Sequence, residues 1–165
     1  ICGDRLSTLR IIVLVKPSGP EIFRAVWKVQ TGNNIFDNFG RVGETDNLCA
    51  SVNLKSGRVD RVVGHVGVEQ SEHELHPDTG EMLIGFELPC WDDLLATSKS
   101  AALVYPKLHF QHWDIAITDR GPVMLECNVS GGVGIPQLAS RLGLYNEELR
   151  ELVRWRLTSR QNRLS

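Results

Sequence analysis

The stretch His112-Trp113-Asp114-Ile115-Ala116-Ile117-Thr118-Asp119-Arg120-Gly121-Pro122-Val123-Met124-Leu125-Glu126-Cys127-Asn128 decides how this chain is read. Asp119-Arg120-Gly121 is a turn signal between two apolar runs, so residues 109–118 and 122–129 read as paired antiparallel strands. Side chains alternate across a strand, which puts Glu126 and Asn128 on one face. A three-residue loop with Gly121 in the left-handed position pairs Thr118 with Pro122 and sets Asp114 opposite Glu126. A loop of two or four residues would turn Asp114 to the other face; the three-residue loop is the expectation. Asp114, Glu126 and Asn128 then offer two carboxylates and an amide oxygen, a hard and partly filled donor set that leaves Mg²⁺ room for waters and phosphate oxygens. Acidic residues on hairpins are more often simply solvated. Here Ile115, Ile117, Met124 and Leu125 point to a largely buried hairpin, where unpaired charge is costly.

Upstream, residues 9–15 are apolar and β-branched, as in a strand buried on both faces. Lys16-Pro17-Ser18-Gly19-Pro20 breaks that run, and residues 21–30 read as a second strand able to pair with it. A polar loop follows from Thr31 to Asn47, holding Asn33, Asn34, Asp37, Asn38, Gly40 and Gly43; structureless loops of this length are uncommon and often functional. Residues 48–54 and 58–65 read as strands joined by Lys55-Ser56-Gly57, and residues 66–90 as irregular. Residues 91–105 carry Leu94, Leu95, Ala102 and Leu103 at helical spacing, with Pro106 closing the helix. After the decisive hairpin, Ser130-Gly131-Gly132-Val133-Gly134 leads to a short helix and then a charged amphipathic helix over residues 146–157. The expected fold is α+β, one domain with a mostly antiparallel sheet and flanking helices.

The chain has 165 residues, enough for one core of substantial size. No apolar run reaches the roughly 20 residues that cross a bilayer. With 18 basic against 20 acidic residues and no basic stripe, nucleic acid is excluded as an expected partner. Cys2, Cys49, Cys90 and Cys127 are widely spaced and follow no secretory signal, so they read as reduced thiols of a cytoplasmic protein. The chain opens on Ile1 with a strand soon after, which is expected of a segment that continues a larger protein.

The hairpin resembles the final hairpin of ATP-grasp enzymes, whose aspartate, glutamate and asparagine hold one or two magnesium ions. Ser7-Thr8-Leu9-Arg10, Asp37-Asn38-Phe39, His76-Pro77-Asp78-Thr79-Gly80 and Gly85-Phe86-Glu87-Leu88-Pro89-Cys90-Trp91 resemble, in order, the sugar-transfer-associated ATP-grasp group, which is related to alpha-L-glutamate ligase-like proteins. The resemblance implies ATP and Mg²⁺ as cofactors, Asp114, Glu126 and Asn128 as metal ligands, and Arg10 as a group that reaches the phosphates or an acyl phosphate; the alternative for Arg10 is a structural salt bridge. It implies substrate contacts for Asp37 and Asn38, which otherwise read as turn residues, and for His76, whose alternative is a β-turn. Ser130, Gly131 and Gly132 would let backbone amides approach an anion, or simply form a turn into a helix. His112, two residues before Asp114, stands where several such enzymes have an arginine and could donate to a phosphate.

The family activity implied is a carboxylate–amine ligation through an acyl phosphate. The lysine-bearing, adenine-holding lobe is expected upstream of Ile1, since Lys16, Lys28, Lys55, Lys99 and Lys107 lie in no glycine-rich phosphate loop. This chain alone is therefore expected to be inactive. A metal-dependent phosphoester hydrolase and a non-catalytic interaction domain are the alternatives.

Overall fold

The computed structural model describes residues 6–34, 37–39, 46–66 and 69–161. Gly40, Gly43 and Cys2 lie outside the described residues. The elements run β1 (Thr8–Lys16), β2 (Gly19–Val29), β3 (Leu48–Val52), β4 (Val59–Val66), β5 (Glu69–Glu72), α1 (Trp91–Ala102), β6 (Phe110–Thr118), β7 (Gly121–Asn128), α2 (Gly134–Ser140) and α3 (Glu147–Gln161). The strands form one sheet in the order β5-β4-β3-β2-β1-β6-β7, every neighbouring pair antiparallel. The α+β fold expected from the sequence is the fold observed.

β1 explains the layering. Its odd residues Leu9, Ile11, Val13 and Val15 join Trp27, Ala50, Trp113 and Ile115 in a core that Trp91 and Leu94 of α1 cover. Its even residues Ile12 and Leu14 face the other way, onto Leu149, Leu152 and Trp155 of α3, while Val26, Cys49 and Val63 on that same side meet Ala139 of α2. Both faces of the strand are thus buried, as the unbroken apolar run requires. On the α2/α3 face the even series also carries polar residues, Lys16 at one end and Thr8 and Arg10 at the other, and the site forms around Thr8 and Arg10.

Four expectations need correction. Residues 66–90 include a strand, β5, with the sequence Glu-Gln-Ser-Glu, which has no apolar alternation to betray it because it is a short edge strand. The first helix ends at Ala102 rather than at Tyr105. The buried side chain of Gln111 donates to the carbonyls of Ala102, Tyr105 and Leu108 at 3.0, 3.0 and 2.9 Å, satisfying the helix end and holding the chain in turns before Pro106. The decisive hairpin closes through a two-residue turn, Thr118 pairing with Gly121 and Ile117 with Pro122, not through the three-residue loop. Asp114 nevertheless faces Glu126, because Met124 pairs with Ile115 and Leu125 is an extra residue in a β-bulge. The hairpin is also only half buried: β6 is covered, but β7 is an edge strand with Val123, Leu125 and Glu126 exposed.

Gln111 also accepts the indole N–H of Trp113 at 2.7 Å. Replacing it strands several buried polar groups at once, each worth about 1–3 kcal/mol. Gln111→Leu is expected to lower the unfolding free energy by about 3 kcal/mol in urea titration; a loss under about 1 kcal/mol would show that the helix end does not depend on this side chain.

Candidate functional site

The register of the sheet assembles the site. Across β7, β6, β1 and β2 the α2/α3 face carries the row Glu126, Asp114, Arg10, Val26, and beside it the row Asn128, His112, Ile12, Arg24. The Leu125 bulge gives β7 the extra residue that brings Glu126 into the first row. Lys28 lies one residue beyond Trp27, the partner of Leu9, and so reaches the same face beside Thr8.

These side chains form a continuous ionic chain. Arg10 donates its Nε to Asp114 Oδ1 at 2.8 Å and its Nη2 to Oδ2 at 2.7 Å, a bidentate pair. Lys28 Nζ donates to Asp114 Oδ2 and to Asp37 Oδ1, each at 3.2 Å. Asp37 Oδ2 in turn accepts the backbone N–H of Thr8 at 2.9 Å and its hydroxyl. Lys28 is 5% and Asp114 4% exposed, so neither charge could stand there unpaired. Burial pushes the Asp114 carboxyl up, but hydrogen bonding from Arg10 and the charges of Lys28 and Arg10 outweigh it and hold the carboxyl below its ordinary value. Burial likewise opposes charge on Arg10, and the bond to Asp114 with the nearby carboxylates of Asp114, Glu126 and Asp37 more than restores it.

Thr8, Arg10, Lys28, Asp37, Asn38, Asp114 and Glu126 line one open cleft of about 300 Å³, with Leu6 and Leu125. A larger apolar groove of about 690 Å³ beside Tyr105 and Val129 holds no carboxylate, and chemistry rather than size singles out the smaller cleft. The structure therefore brings together Arg10, Asp37, Asn38, Asp114 and Glu126 from among the residues singled out in the sequence. Arg10 makes the salt bridge that was its alternative reading. Asp37 anchors β1 and Lys28 rather than only capping a turn. Lys28 and Thr8 escaped sequence reasoning: a lysine within an apolar strand carries no motif, and its alternation with Val26 was the available signal.

His76 is fully buried elsewhere, away from the cleft lining. Its Nδ1 accepts the N–H of Asp78 and its Nε2 lies 3.0 Å from the carbonyl of Gln30, so it donates there and clasps the turn to β2. That geometry matches its alternative as a turn residue.

The donor set fits a hard divalent cation in its chemistry and in its shared face. Glu126 is exposed, and the Asn128 amide donates to its Oε1 at 2.9 Å, so amide and carboxylate already adjoin. Among the described residues no three His, Cys, Asp or Glu side chains converge as a metal site, and Asp114 has both oxygens engaged by cations. Metal binding at Asp114 would therefore compete with Arg10 and Lys28 for its oxygens. Beside this set His112 is fully buried, with neither ring nitrogen hydrogen-bonded. Gly131 closes over it so tightly that a Cβ there would sit 2.3 Å from His112 Nδ1. Ser130 and Gly132 are exposed on either side.

Burial, aided by the positive charge of Arg10 and opposed by Asp114, drops the His112 pKa from 6.5 to about 4. The unfolded chain then binds more protons between those values, so folding stability rises with pH across that window. The span corresponds to about 3 kcal/mol. Asp114, depressed below 3.8, loses its contribution only at still lower pH. Stability measured from pH 4 to 6.5 is expected to climb in the parent and to flatten in His112→Leu; equal slopes would remove His112 as the cause. Gly131→Ala is expected to destabilise the fold by about 1–3 kcal/mol through overpacking. Adding His112→Ala should recover most of that loss in a double-mutant cycle, and additive losses would place the clash elsewhere.

Comparison with known proteins agrees with the geometry. Residues 2–152 match the model of the sugar-transfer associated ATP-grasp family. No curated protein and no solved structure shows significant similarity to the chain. Among the described residues no helix is long and apolar enough to cross a membrane. With that family matched over most of its length, the chain belongs to the sugar-transfer associated ATP-grasp family and is an ATP-binding domain.

Proposed function

We propose that this chain is the magnesium- and phosphate-binding lobe of an ATP-dependent carboxylate–amine ligase, working through an acyl phosphate and inactive alone. The observation that carries the reading is the row Glu126, Asp114, Arg10 on one sheet face, which sets metal-type oxygens and a phosphate-type cation side by side. In this reading Asp114, Glu126 and Asn128 would hold one or two magnesium ions. Magnesium, when bound, neutralises charge on the phosphates. Arg10 orients the phosphoryl oxygens and offsets the charge that accumulates during transfer. His112, neutral at pH 7, donates a ring N–H toward the anion, and the backbone of Ser130, Gly131 and Gly132 borders it.

The chemistry balances as two displacements. A substrate carboxylate oxygen attacks the γ-phosphorus and ADP leaves; an amine then attacks the acyl carbon, phosphate leaves, and the amine gives up a proton. Asn38, exposed at the cleft, is the residue assigned to substrate contact. A cleft of about 300 Å³ is at the low end for enclosing a small molecule, and among the described residues that line it none is aromatic. Adenine is assigned in this reading to a separate lobe, and the cytoplasm is the compartment in which ATP and reduced thiols both fit.

The ion pairs on Asp114 favour a second reading, a non-catalytic lobe in which Arg10, Lys28 and Asp114 only stabilise the sheet. Titrating Mn²⁺ into isotope-labelled protein with ATP separates the two. The ligase reading expects paramagnetic broadening at Asp114, Glu126 and Asn128 that Glu126→Gln weakens by about tenfold or more, the loss expected when a hard ligand is removed. Absence of localised broadening would favour the non-catalytic reading, and turnover by the 165 residues would overturn the claim that the lobe is inactive alone.

A further inference from the structure

Lys28 has no part in the reaction just described, yet it is the most deeply placed cation of the cleft. Its ammonium sits between two carboxylates, at 3.2 Å from Asp114 Oδ2 and 3.2 Å from Asp37 Oδ1. Asp37 is itself held to the start of β1 by the backbone N–H and hydroxyl of Thr8. Asp114 meanwhile has Oδ1 on Arg10 and Oδ2 on both Arg10 and Lys28. The carboxylate proposed to hold metal is thus paired through both oxygens with the protein's own cations.

We propose that Asp114 is a shared seat: Arg10 and Lys28 occupy it in the ligand-free chain, and a divalent cation takes it only when a phosphate-class anion receives those two side chains. Lys28 is then an anion-binding residue alongside Arg10. The inference rests on the metal-and-phosphate reading above and adds the order in which the site is filled.

Charge balance supports it. Arg10 and Lys28 against Asp37, Asp114 and Glu126 leave one net negative charge in the cleft. A divalent ion alone would reverse that to one net positive charge, and would lie beside two buried or half-buried cations that had just lost a partner. Removing a partner from a buried charge is strongly unfavourable. An anion bearing several charges resolves both problems, because it pairs with the released cations and donates oxygens to the metal. Geometry supports it too. Asp37 gives Lys28 a second carboxylate, so Lys28 stays charged and within the cleft when Asp114 is taken. Asp37 is in this sense a parking place whose position Thr8 fixes.

The test uses the 165-residue chain, Mn²⁺ as the metal and inorganic tripolyphosphate as the anion, with affinities referred to free Mn²⁺. The parent is expected to bind Mn²⁺ at least about tenfold more tightly when tripolyphosphate is present, the equivalent of one hydrogen bond to a charged group. Lys28→Met should raise the affinity measured without anion and shrink that ratio toward one. Asp37→Asn, which commits Lys28 to Asp114, should lower the affinity without anion, and it keeps the test open if Lys28→Met does not fold. Tight Mn²⁺ binding by the parent without anion, at a ratio near one, overturns the shared seat and leaves the metal reading standing. No Mn²⁺ binding in either condition overturns both.

Discussion

Arg10 and Asp114 face each other across β1 and β6, and the bidentate contact between them allows charge to exist in the middle of this sheet. From Leu9 to Val15 β1 is otherwise apolar on both sides, so an arginine within it must find a carboxylate at the same level of the neighbouring strand. Asp114 meets that need, and its remaining capacity draws in Lys28 from the far side of β1. Lys28 in turn fixes Asp37, and with it the described start of the long polar loop, against Thr8. The loop, two strands and the hairpin are thus tied through one carboxylate. A buried ionic network of this kind adds less stability than an apolar replacement of equal volume often would. Its value lies in placing exchangeable charge where a ligand of mixed charge can bind.

That arrangement reconciles the two readings of Arg10 that the sequence left open. Under the proposed function the salt bridge and a phosphate contact would be different occupancies of one guanidinium, whose planar fork suits carboxylate and phosphate alike. The neutral, unpartnered imidazole of His112 under Gly131 belongs to the same economy of the site. It is buried at a cost, because among the described residues nothing satisfies its nitrogens.

The fold class and most of the layering were legible because apolar alternation reports burial directly. The sheet edge was not: β5 is four polar residues held by backbone pairing to β4, and side-chain pattern is silent about backbone hydrogen bonds. The end of α1 was misplaced because Gln111, a residue of the next strand, terminates it from a distance. The Asp114–Glu126 pairing was expected for an incorrect reason. The turn is shorter by one residue than its glycine suggested, and the Leu125 bulge compensates; no local rule links those two irregularities. Lys28 had only its alternation with Val26 to place it on this face, since a strand lysine has no spacing signature.

The same bulge has a consequence for the chain as a solute. β7 ends the sheet and leaves a row of backbone groups unpaired toward its outer side, with Val123 and Leu125 exposed beside them. A regular strand of that composition would offer a neighbouring molecule a template for continued pairing. The extra residue at Leu125 breaks the spacing of that row and bends it, while the opposite edge is the short and acidic β5. Both margins of the sheet are therefore poor seeds for fibrous growth, and on one of them the protection comes from the irregularity that aligns Glu126 with Asp114.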